Sequence, residues 1–144
     1  MTLHLIKLCV GATSIADLED WIAGRAEAAR KAGHPFEQIH VTRMVPTRSE
    51  ELLDGGSLYW VIKGEVAARQ RLLELRPFVD GDGVRRCGLV LDPQVVPVEP
   101  RPSRPFQGWR YLKANEAPRD LARVEGGGGL PESLARELRD LGLM

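Results

Sequence analysis

The sequence predicts an α+β fold, a mixed β-sheet or small partly closed barrel with flanking helices, a Pro-rich arm and a short C-terminal helix. Three observations carry this reading. Short apolar runs recur at 3–10, 39–45, 57–63 and 85–92, each bounded by turn residues. Helical periodicity intervenes at 15–32 and 65–75. After Pro93 the patterning gives way to Pro97, Pro100, Pro102 and Pro105, which oppose regular sheet and favour polyproline-type extension.

Taken in order, Leu3, Leu5 and Lys7 alternate with His4, Ile6 and Leu8, as in a strand with at least one buried face. Gly11 to Thr13 turn the chain, and Ser14 is placed to cap a helix with Asp17 at its third position. Ile15, Leu18, Ile22, Ala26 and Ala29 form that helix's apolar stripe, with Trp21 at its border and Gly33 and Pro35 beyond its end. In the 39–45 strand Ile39, Val41 and Arg43 share one face, and His40, Thr42 and Met44 the other. A helical turn at 48–54 precedes Gly55 and Gly56. Residues 57–63 are apolar on both faces, which marks an inner strand, as does 87–91. Residues 65–75 read as a second helix, 80–83 as a turn and 106–112 as an edge strand. A helical piece is expected around 119–124. The organisation is one α+β domain over 1–125, followed over 126–144 by a Gly-rich hinge and a final helix carrying Leu134, Leu138 and Leu141.

Composition limits the function classes. The 144-residue chain has 20 basic and 20 acidic residues, so bulk charge does not mark a dedicated nucleic-acid binder. Basic residues exceed acidic ones only between residues 40 and 113. The two cysteines, Cys9 and Cys87, lie in apolar runs and read as reduced, buried thiols. The start of the chain is too short an apolar run for a signal peptide, and no segment reaches the roughly 20 apolar residues of a membrane span. The expected location is the cytoplasm. His4, His34 and His40 share no metal-ligand spacing with each other or with the cysteines, so neither a metal nor another cofactor is expected. His40 could meet Cys9 or Cys87 in space, but a buried thiol in an apolar run is seldom a nucleophile.

The segment from Glu99 to Lys113 draws the most attention. It interleaves Arg101, Arg104, Arg110 and Lys113 with Phe106, Trp109 and Tyr111, a composition suited to an anionic, planar partner. On a polyproline-type rod Arg101 and Arg104 would lie on one edge, roughly 9 Å apart, and could clamp a dianion. They could equally be solvated arginines that cap carbonyls. Gln107, Trp109 and Tyr111 would share a strand face and could stack bases, or simply seal the arm onto the core. Arg43 lies within the second strand and Arg48 just beyond it, and Arg43 needs a carboxylate partner such as Glu51, Asp54 or Asp92, or a ligand. Lys63 and Gly64 stand at a strand-to-helix junction where backbone amides could approach an anion, without the glycines of a phosphate loop.

Several phrases are distinctive: L-H-L-I-K-L-C-V-G, H-V-T-R-M-V-P-T-R, L-L-D-G-G-S-L-Y-W-V-I-K-G followed by R-Q-R-L-L, and R-R-C-G-L-V-L-D-P running to R-P-F-Q-G-W-R-Y-L-K. By these the chain resembles the bacterial, chiefly alphaproteobacterial, domain-of-unknown-function family 1489 over residues 2–122. The resemblance implies a small cytoplasmic protein and brings no activity, cofactor or site residue with it.

Three functional expectations follow. The first is a module binding RNA, or another anionic ligand such as a phosphate-bearing small molecule. Its candidate residues are Arg43, Arg48, Lys63, Arg101, Arg104, Gln107, Trp109, Arg110 and Tyr111. The second is a small enzyme or sensor for an anionic metabolite, with the arginines facing a pocket. The third is a protein-interaction module using the terminal helix. The sequence fixes neither a catalytic residue nor an oligomeric state.

Overall fold

The computed structural model describes residues 2–121. Its elements are β1 (Leu3–Leu8), α1 (Ile15–Lys31), β2 (Gln38–Thr42), α2 (Ser49–Leu52), β3 (Ser57–Ile62), β4 (Glu65–Val79), β5 (Arg85–Leu91), β6 (Val96–Pro102), β7 (Trp109–Lys113) and a 3-10 turn at Ala114–Glu116. The seven strands form one mixed sheet in the order β2-β5-β4-β3-β1-β7, with β6 also on β4. Among the described residues only β1 and β3 pair in parallel. The α+β expectation holds, and β3 and β5 are inner strands.

The expected helix at 65–75 is instead the first two-thirds of β4. Its residues are good helix formers, yet Val66, Ala68, Gln70 and Leu72 are buried in alternation. Neighbours on both sides, β3 on one and β6 then β5 on the other, satisfy its backbone and override local propensity. Lys63 and Gly64 are therefore the two-residue turn of the β3–β4 hairpin, with φ of 51° and 77°. Positive φ at both central positions is the type I′ geometry that matches strand twist. No helix N-terminus follows them.

The Pro-rich arm is also a strand in part. β6 pairs β4 from Val96 opposite Arg69 to Pro102 opposite Glu65, with an irregularity between Val66 and Ala68. On its far side Val98 bridges Asp120, the Glu99 amide donates to the Arg119 carbonyl at 2.8 Å, and the Leu121 amide donates to Pro97 at 3.0 Å. Prolines are tolerated because this strand lies at an edge, where missing N–H groups cost little. The helical piece expected from 119 is accordingly absent at 119–121. The glycine hinge and final helix lie outside the described residues.

The sheet has two apolar faces. One gathers Leu3, Leu5, Leu58, Trp60, Ala68, Leu72, Cys87, Leu89, Leu91 and Trp109 beneath Ile15, Leu18 and Ile22 of α1. The other packs Tyr59, Val61, Val66 and Val98 with Ile6, Leu8, Phe106 and Leu112. α1 begins as expected: the Asp17 amide donates to Ser14 Oγ at 3.1 Å, and the Asp17 carboxylate accepts from the Thr13 amide and hydroxyl at 3.1 and 2.7 Å. α2 abuts β1 so closely that a Cβ on Gly56 would lie 2.2 Å from the Leu3 carbonyl.

The sheet does not close, but its two end strands are drawn together. The Trp109 indole on β7 donates to the Met44 carbonyl just past β2, at 2.9 Å. The Thr47 amide donates to the Tyr111 hydroxyl at 3.0 Å. The curl leaves an opening beside β2 that α1 and the loop after β1 border.

Candidate functional site

At that opening lies a cleft of about 220 Å³, lined by Cys9 to Ala12, Asp17, Leu18, Trp21, Gln38 to His40 and Trp60. It forms at the carboxyl end of β1, where the chain leaves the sheet to enter α1. Trp60 is fixed by its indole N–H, which donates to Gln70 Oε1 at 2.9 Å. Gln70 is in turn fully engaged, exchanging hydrogen bonds with Gln38 at 2.6 and 3.1 Å and donating to the Asp92 carbonyl at 2.9 Å. Trp21 forms the outer wall, 47% exposed, with the Arg25 guanidinium 4.1 Å over its ring.

His40 stands edge-on to Trp60, ring centroids 5.1 Å apart. Its Nε2 is shielded from solvent and has no hydrogen-bond partner among the described residues. Burial, aided by the positive charge of Lys7, pulls its pKa down to about 4, so the ring is neutral at pH 7. Burial pushes the Cys9 thiol up to about 11, only partly countered by the same Lys7. A protonated thiol beside a neutral, weakly basic imidazole is not an activated nucleophile. The lining combines two indoles with a neutral imidazole whose Nε2 is unmatched.

Sequence reasoning singled out neither the cleft nor Trp21 as a site. The usable signal was the alternation that turns Gln38, His40 and Thr42 inward and Ile39 and Val41 outward. Of the two cysteines weighed against His40, Cys9 shares its cleft, while Cys87 is buried in β5.

The nine residues singled out from sequence do not line this cleft, and they lie in several places. Trp109 is 8% exposed, with its indole N–H bonded and Tyr111 edge-on at 4.8 Å, so it seals the core rather than offering a stacking face. Tyr111 is half-buried, and its hydroxyl holds the 47–48 backbone. Gln107 is exposed in the bend before β7 rather than aligned with them on a strand. Arg48 forks onto Glu51 at 2.9 and 2.6 Å and lies 5.6 Å from the Tyr111 ring. Arg43 is exposed in the bend after β2, and Glu51, one partner considered for it, is engaged by Arg48.

Arg101 is held by the Glu116 carbonyl, and Arg110 lies 4.8 Å over the Phe106 ring. Because Arg101 sits on β6 rather than on a polyproline rod, the proposed edge shared with Arg104 does not form. Register does bring Lys63 near this group: Glu65 pairs Pro102, and the Ser103 amide donates to the Gly64 carbonyl at 2.8 Å. Among the described residues no group of three or more His, Cys, Asp or Glu side chains could hold a metal ion. No helix among them is long and apolar enough to cross a membrane.

The chain belongs to the family described as protein of unknown function DUF1489, whose model matches residues 5–144. The match therefore runs past residue 122, through the glycine-rich segment to the end of the chain. No curated protein and no solved structure matches it.

Proposed function

We propose that this protein binds a small planar molecule bearing one anionic group in the cleft between α1 and β2. The observation that carries the reading is the solvent-shielded Nε2 of His40, without a partner among the described residues, on a ring that lines the cleft edge-on to Trp60. An unmatched buried nitrogen is costly, and a ligand that bonds it recovers that cost. Lys7, whose positive charge is felt by both His40 and Cys9, offers a counter-charge to a carboxylate or phosphate, while the Asp17 carboxylate in the lining is already engaged by the Thr13 amide and hydroxyl. At about 220 Å³ the cleft is smaller than the roughly 300 Å³ of drug-sized sites, which favours a single-ring or fused-ring metabolite. A binding or sensing role fits the unactivated thiol and weakly basic imidazole better than a catalytic one. A cytoplasmic setting belongs to the same proposal, supported by two free thiols.

The test is titration of benzoate, indole-3-acetate and phenyl phosphate into the full chain, followed by tryptophan fluorescence and thermal shift. Binding by at least one of them, weakened about tenfold or more by His40→Phe and by Lys7→Met, is the expected result. Failure of all three to bind, or equal binding to the variants, contradicts the proposal.

A surface for RNA is the second reading. It is supported by the register that gathers Lys63, Arg101 and Arg104 at one end of the sheet. Salt-sensitive RNA binding that Arg101→Glu and Arg104→Glu abolish, with the cleft variants unaffected, would establish that reading instead.

A further inference from the structure

Among the described residues β2 ends the strand order on one side of the sheet and pairs with β5 alone. Edge strands are usually blunted by Lys, Pro or inward charge, because an open edge is a template for another strand. Gln38-Ile39-His40-Val41-Thr42 carries none of these. Its outward side chains, Ile39 at 38% and Val41 at 47%, are exposed.

The residues flanking the strand complete a pattern. Ile39 and Val41 share the outward face of β2, and Glu37 just before the strand and Arg43 in the bend just after it flank them at the same period of two. Read backwards, this order is complementary to itself. In an antiparallel pairing with a two-fold axis at His40, Ile39 faces Val41 of the partner subunit, and Glu37 faces Arg43 of the partner subunit. Charge at this edge favours the match. Arg76 is bonded to Glu37 at 2.9 and 2.6 Å and to Glu74 at 2.6 and 3.1 Å, so two carboxylates share one guanidinium. The Arg76 fork holds the Glu37 carboxyl below its usual range and therefore ionised. Arg43 of the partner subunit supplies the missing positive charge, and the two-fold axis makes the contact twice.

We infer that the protein forms a homodimer by antiparallel pairing of β2 with β2 of a second copy, in the register that sets Glu37 against Arg43 of the partner subunit. The pairing strand also lines the cleft through Gln38, Ile39 and His40, but the register rests on Glu37 and Arg43, which lie outside that lining. The test is sedimentation of the full chain from about 1 to about 100 µM, with the mass at each concentration reporting dimer. The wild type should dimerise across this range.

Arg43→Glu and Glu37→Arg change exposed positions, and circular dichroism checks that each variant folds. Each alone places like charges opposite one another and should weaken the dimer about tenfold or more. An equimolar mixture of the two variants restores both opposite-charge contacts and should recover the dimer. A wild type that stays monomeric throughout overturns the inference. So does a dimer indifferent to both substitutions, and a mixture that remains monomeric rules out the register.

Discussion

At the scale of single residues, two histidines are held neutral for different local reasons. His40 is buried beside Trp60 within reach of the Lys7 charge. His4 accepts the Ser57 amide at Nδ1, 3.0 Å away, and burial and then Arg69 lower its pKa. Both folded-state values lie below the ordinary 6.5, so the unfolded chain binds more protons as the pH falls. Their contribution is complete above pH 6.5 and is lost as pH falls towards about 4 for His40. The expected loss from His40 alone is on the order of 2 kcal/mol, and His40→Phe should remove that share. Urea midpoints at intervals between pH 7 and pH 4.5 measure it. A midpoint unchanged by pH in the wild type would show that neither ring is held neutral. Trp109 and Tyr111 belong to this scale too. Trp109→Phe removes one of the two donors on the Met44 carbonyl, leaving the Thr42 hydroxyl in place, and should cost about 1 kcal/mol in the same assay.

At the scale of elements, β4 shows what alternation reports and propensity conceals. The run Val66, Ala68, Gln70, Leu72 is buried at every second residue, but Ala, Arg, Gln, Leu and Glu all favour helix. Only the pairing with β3, β5 and β6 decides between the two. β1, α1, β3 and β5 were legible because pattern and propensity agree there. β6 was concealed by its prolines, whose missing donors are harmless only at an edge. Two changes test the β4 environment. Lys63 adopts a left-handed conformation that Asn tolerates better, so Lys63→Asn should stabilise the chain by about 0.5–1 kcal/mol in thermal unfolding. Gln70→Leu would leave the Trp60 indole, the Gln38 amide and the Asp92 carbonyl unmatched at once. A loss of about 3 kcal/mol or more is expected, and one below 1 kcal/mol would show the network to be dispensable.

At the scale of the molecule, the curl of the sheet makes the site. Drawing β7 towards the loop after β2 sets the inward row of β2 opposite β3 and leaves the cleft under α1. Sequence could show that His40 faces inward, but not that Cys9, Trp21 and Trp60 would meet it, because that depends on how far the sheet bends. It could likewise show that the 99–113 segment is rich in cations and rings. Their use as carbonyl and ring partners emerges only once β6 and β7 are placed. The most direct check of the cleft reading is the side-chain nitrogen NMR signal of His40 in the full chain, followed through titration with benzoate and phenyl phosphate. The account predicts that a bound anion shifts the Nε2 resonance and raises the ring's pKa from about 4. A His40 signal that stays fixed while either ligand binds elsewhere, or while neither binds, would contradict it.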